Sequence, residues 1–100
     1  MVLDSWNFMH QVHLFISGFV QGVGYREFVK NGAAKVGIVG WVRNLEDRRV
    51  EVLAQGEEAT LKKFIEVCKK GPFLSDVKNI SIEWEKEEEK FDNFERLPTA

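Results

Sequence analysis

The hydrophobic rhythm of the chain changes abruptly across one short stretch, and that change limits the folds open to it more than any other feature. From His10 onward, Val12, Leu14 and Ile16 alternate with His13, Phe15 and Ser17, the period of a strand with one buried face. From Tyr25 to Gly37 the apolar residues Val29, Ala33 and Val36 fall instead at i, i+4 and i+7, one stripe of a helix. Between them lies Gly18-Phe-Val-Gln-Gly-Val-Gly24, a glycine-rich connection that carries the strand into the helix. Gly32 inside the helix costs about 1 kcal/mol against alanine, and Gly37 fits the usual helix stop.

The rest of the chain continues the alternation of strand and helix. Ile38 to Leu45 and Arg49 to Gln55 read as strands, the second with Val50, Val52 and Ala54 on one face. Few residues separate them and Asp47 is a turn former, so they form a hairpin. A second helix spans Glu57 to Lys70, with Leu61, Phe64, Ile65 and Cys68 as its apolar stripe. Acids at its start, Lys69 and Lys70 at its end, match the helix dipole, and Gly71-Pro72 stops it. Val77 to Trp84 is a fourth strand, Glu85 to Lys90 reads as a solvated charged turn, and Phe91 to Leu97 supplies a short last strand. The order β-α-β-β-α-β is the α+β, ferredoxin-like split βαβ plan, an antiparallel sheet with two helices on one face. The domain is expected over residues 10–97, with residues 1–9 an N-terminal extension whose Trp6 and Phe8 either pack or fray.

At 100 residues the chain fits one domain with one core, and a monomer is the default expectation. A net charge of -2 gives no strong pull toward nucleic acid or an anionic membrane. One cysteine, Cys68, excludes an intrachain disulfide and a thiolate metal cluster; on its helical stripe it reads as a small buried hydrophobe. No apolar run approaches the roughly 20 residues needed to cross a bilayer. The start, Met1 to Met9, has neither the basic nor the apolar region of a signal peptide, so the expected location is the cytoplasm.

Chemistry concentrates where the rhythm changes. The glycines Gly18, Gly22 and Gly24 permit backbone conformations that turn successive N–H groups inward. The helix that follows adds its own unpaired N–H groups and a partial positive charge, and an anion, typically phosphate, is the natural guest. Arg26 adds a full charge and a fork suited to phosphate oxygens. No Gly-Lys-Ser/Thr follows and G-x-G-x-x-G is absent, which argues against ATP and dinucleotides. A second stretch, Gly40-Trp-Val-Arg-Asn44, ends at an asparagine that, taken alone, is a turn former.

Together the two stretches closely resemble the signatures of the acylphosphatase family. Gly18, Val20, Gln21, Gly22, Val23, Tyr25 and Arg26 match its G-x-V-Q-G-V-x-[FY]-R motif. Gly40, Trp41, Val42, Asn44, Val50 and Gly56 match its second motif. The likeness covers roughly residues 10–97. It implies hydrolysis of the carboxyl-phosphate bond of small acyl phosphates, with no cofactor and no metal, and inorganic phosphate as product or inhibitor. In that reading Arg26 and backbone N–H groups of the segment Val20, Gln21, Gly22, Val23, Gly24 and Tyr25 hold the phosphoryl group. Asn44 holds the attacking water. Two departures stand out: Arg48 lies where the family usually has a turn glycine, which suggests strain or a different turn, and Tyr25 stands where phenylalanine is commoner.

Other residues carry weaker signals. His10 and His13, three apart on a strand, point to opposite faces and do not share a metal; His13 as a base is the lesser reading. Glu27 either orients Arg26 or is a solvated helix residue, and Trp41 and Trp84 read as packing residues. Lys30 and Arg43 either steer anions or are ordinary surface charges. The same fold plan serves RNA-recognition modules, but the third strand, Arg49-Val-Glu-Val-Leu-Ala-Gln, lacks their stacking aromatics. The closer alternative is a non-catalytic acylphosphatase-like regulatory or binding module.

Overall fold

In the computed structural model the described residues are 9–100; the extension expected at residues 1–9 therefore lies, but for Met9, outside them. The elements are β1 (His10–Phe19), α1 (Tyr25–Lys35), β2 (Val39–Asn44), β3 (Val50–Gly56), α2 (Glu58–Lys70), β4 (Asp76–Glu85) and β5 (Phe94–Arg96). The five strands form one sheet in the order β4-β1-β3-β2-β5. The expected α+β, ferredoxin-like fold is present, with one correction: the sheet is mixed. β1, β3, β4 and β2 pair antiparallel, but β5 lies parallel to β2, with Gly40 opposite Phe94 and Val42 opposite Arg96. The cause is the route of the chain. It leaves β4 at one edge, crosses the sheet, and re-enters at the far edge, where the Gly40 N–H donates to the Asn93 carbonyl (2.9 Å) and the Leu97 N–H to that of Val42 (2.8 Å).

The period-two pattern decides which face is covered. Val12, Leu14 and Ile16 of β1, Val42 of β2 and Val50, Val52 and Ala54 of β3 are fully buried in one cluster. Tyr25, Val29 and Ala33 of α1 and Leu61, Phe64, Ile65 and Cys68 of α2 join that same cluster, so both helices cover one face of the sheet. Each such aliphatic side chain contributes about 1.5–3 kcal/mol. Tyr25 Oη donates to the Cys68 carbonyl (2.7 Å), tying the start of α1 to the end of α2. Burial pushes the Cys68 thiol up to about 12, so it is inert as a nucleophile.

Two expectations fail at element ends. Val36 does not continue the α1 stripe: the helix stops at Lys35, Val36 becomes the cap residue, and its side chain is 54% exposed. Trp84 is 45% exposed, because β4 is an edge strand that the helices cover only in part.

Candidate phosphate-binding active site

The connection from β1 to α1 adopts the shape its glycines allow. Gly22 and Gly24 have φ of 78° and 80°, the left-handed region. A Cβ at either would meet nothing within 4 Å, so the need for glycine is torsional, not spatial. Gly24 caps α1 without a side chain, so no capping bond occupies the first N–H groups of the helix. The segment is anchored from below by Gln21, whose Nε2 donates to the carbonyls of Leu45 and Arg49 (2.9 Å each). Those carbonyls flank the β2–β3 turn, so the loop rests on the hairpin that carries Asn44.

Loop, helix start and hairpin enclose a cleft of about 110 Å³ that brings together Gly22, Gly24, Arg26 and Asn44, with Val20, Tyr25 and Glu27 also against it. Among the described residues no carboxylate pairs with Arg26. Its neighbour Glu27 pairs instead with Arg96 (3.3 Å), so Glu27 does not orient Arg26. Partial burial, and then the like charge of Arg96, hold the Arg26 guanidinium below its ordinary pKa; an opposing anion in the cleft relieves the repulsion. Asn44 ends β2 opposite Val50. Its backbone carbonyl accepts from the Ala100 N–H (3.0 Å). Its side-chain Oδ1 is buried with no hydrogen-bond partner, a state shared among the described residues only by His10 Nδ1. Such an atom costs about 1–3 kcal/mol unless something binds it.

Of the residues expected at the site, Gln21 and Val23 do not line this cleft with their side chains. Gln21 braces the hairpin, and Val23 packs on the core. Arg96 does line it and was not anticipated. The available signal was a lone arginine in the last strand; placing it at the cleft required the parallel pairing of β5 with β2.

Two of the remaining charged candidates, His13 and Arg43, belong to the helix-free face of the sheet. His13 does not line the cleft. Its Nε2 meets Glu51 (2.6 Å) and its Nδ1 meets Glu85 (3.0 Å). Burial disfavours the imidazolium, but the two carboxylates outweigh it and raise the His13 pKa above 6.5. Arg43 donates to Glu51 (2.7 Å) and lies over the Trp41 ring (4.7 Å), so it is bound in a network and does not steer anions. Gln11 donates to Glu85 (2.8 Å) and accepts from Gln55 (2.8 Å). Glu85 is thus the end of β4 and a member of this network, a correction to its reading as part of a solvated turn.

A ferredoxin-like sheet with a glycine-lined cleft at its first strand–helix junction defines a class of α+β proteins. The family described as Acylphosphatase matches residues 12–96. An acylphosphatase of Roseiflexus sp. (strain RS-1) is 46% identical over 78 residues, which are 78% of this chain and 84% of the relative. The crystal structure of acylphosphatase from Bacillus subtilis superposes with a TM-score of 0.86 at 40% identity, covering 88% of this chain and 98% of that one. Full-length HypF in its phosphate- and nucleotide-bound form superposes with a TM-score of 0.83 at 30% identity, over 91% of this chain but 12% of that one. The chain belongs to the acylphosphatase family, hydrolases that act on acid anhydrides.

Proposed function

We propose that the chain hydrolyses small acyl phosphates with Arg26 and Asn44 as its catalytic residues and without a metal or cofactor. The activity itself follows from membership of the family. The assignment of roles rests on one observation above all: Asn44, whose Oδ1 has no hydrogen-bond partner, lines a small cleft with Arg26, which among the described residues makes no ion pair, and with the open start of α1. The guanidinium and the N–H groups of residues 20–26 hold the phosphoryl oxygens, and Asn44 holds the attacking water.

The substrate class fits so spare a site. An acyl phosphate is a mixed anhydride, and its leaving group is a carboxylate that departs without a proton. A general acid therefore contributes little, and phosphoryl transfer depends on positioning and on charge stabilisation at the phosphoryl oxygens. An alkyl phosphate ester would need a proton for its leaving group, and Glu27, the one carboxyl lining the cleft, is paired with Arg96. In this reading the substrate phosphate accepts the water proton, inorganic phosphate leaves as product, and the protein works as a monomer in the cytoplasm. The two site side chains favour this over a non-catalytic module, which would not need Asn44 held open.

The test is hydrolysis of benzoyl phosphate in the presence of EDTA by wild type, Arg26→Ala and Asn44→Ala. Turnover that survives chelation and is lost in both variants supports the roles; equal turnover in all three proteins would refute them.

A further inference from the structure

We propose that a second cleft, adjoining the phosphate cleft at Val20, is the subsite for the acyl group, and that Arg48 there selects acyl groups carrying a second carboxylate. This rests on the phosphoryl group sitting at Arg26. The second cleft has a volume of about 160 Å³ and is lined by Gly18, Phe19, Val20, Gln21 and Arg48. Val20 lines both clefts, which therefore border the same residue of the loop, and in this proposal the acyl group of a substrate held at Arg26 lies across that residue. A volume of roughly 150 Å³ holds a benzene ring. Phe19, 60% exposed at the end of β1, supplies an apolar wall for it.

The charge beside that wall is unspent. The β2–β3 turn carries Asp47, but Asp47 is taken by Arg49, whose Nε and Nη2 reach its Oδ2 (2.9 Å each) while its backbone N–H donates to Oδ1 (3.1 Å). Among the described residues Arg48 makes no ion pair. Its backbone sits at φ 81°, the left-handed region that non-glycine residues rarely adopt. A strained turn thus keeps an unpaired cation in the lining of a ring-sized cleft that is part apolar and part polar, an arrangement complementary to an aromatic or short-chain acyl group ending in a carboxylate.

The test compares kcat/KM for 4-carboxybenzoyl phosphate and benzoyl phosphate in wild type, Arg48→Gly and Arg48→Glu. Glycine accepts the left-handed turn, so the first variant folds. Wild type is expected to favour the carboxylated substrate about two- to fivefold at low salt, the range of an exposed charge pair. The preference shrinks as salt rises. Arg48→Gly brings the ratio to about one and Arg48→Glu inverts it. A ratio unchanged by either substitution would overturn the subsite. Absence of benzoyl phosphate turnover in wild type would overturn the roles of Arg26 and Asn44 instead, and the subsite with them.

Discussion

The cleft at the start of α1 and the network on the helix-free face are built from the same kinds of side chain, yet they are finished in opposite ways. On the sheet face, His13 has a carboxylate at each ring nitrogen, Glu51 also holds Arg43, and Gln11 is held by Gln55 while it holds Glu85. In the cleft, the one carboxylate, Glu27, pairs with Arg96 and, among the described residues, none pairs with Arg26, while Asn44 Oδ1 has no partner. Satisfied polar groups inside a fold contribute to stability, and unsatisfied ones cost it. The proposed function gives the open cluster to a ligand, and the completed one to the fold. Charge and burial alone would not distinguish them; the presence or absence of internal partners does.

Substitutions separate the two regions. The largest effect is expected for Arg26→Ala, which removes the counter-charge of the phosphoryl group. Benzoyl phosphate turnover should fall by about 10³-fold or more, and inorganic phosphate should no longer inhibit, while thermal unfolding shifts little. Asn44→Ala comes next, with kcat down by about 10²- to 10³-fold. Inhibition by phosphate should persist, because only the water is lost; its disappearance would make Asn44 a phosphate ligand. On the sheet face the pattern reverses. Glu51→Gln takes the shared carboxylate from His13 and Arg43 and should destabilise by about 1–3 kcal/mol in denaturant unfolding, with turnover at the wild-type level.

The smallest effect is a pH dependence. The folded pKa of His13 is raised above 6.5, so its contribution is complete below about 6.5 and fades as pH climbs through the raised value. Burial works against ionised Glu85, but Gln11 and His13 prevail and hold its carboxyl below 4.5. Its contribution is complete above about 4.5 and fades as pH falls through the lowered value. Unfolding midpoints should therefore decline from pH 6 to pH 9, and His13→Gln should flatten that limb. An unchanged slope in the variant would show that folding does not shift the His13 pKa.

Much of this was legible in the residues. The strand of Val12, Leu14 and Ile16 and the helical stripe of Leu61, Phe64, Ile65 and Cys68 both stand where their periods put them, because each buries one face against the other. Arg26 was singled out because the loop before it concentrates glycine, and Asn44 because a second motif accompanies the first; the two line one cleft. What escaped depends on long-range placement. Arg96 reaches the cleft through a three-residue strand whose parallel partner, β2, lies far back in the chain. Glu85 reads as one acid of a charged run, and only the pairing of β4 with β1 shows that it meets His13. Val36 fits the helical period but lies one residue past the last turn.

Gln21 has a consequence for motion. Its one side-chain amide spans the two carbonyls that close the β2–β3 turn, and thereby joins the backbone that cradles the phosphoryl group to the hairpin that carries Asn44. In the proposed roles, electrophile and water would be held by parts that open together or not at all. An excursion that breaks the Leu45–Arg49 turn bond also releases the loop, and a ligand that orders the loop lowers the frequency of that excursion. Occupancy at the start of α1 is then written in the solvent protection of an amide at the far end of β2.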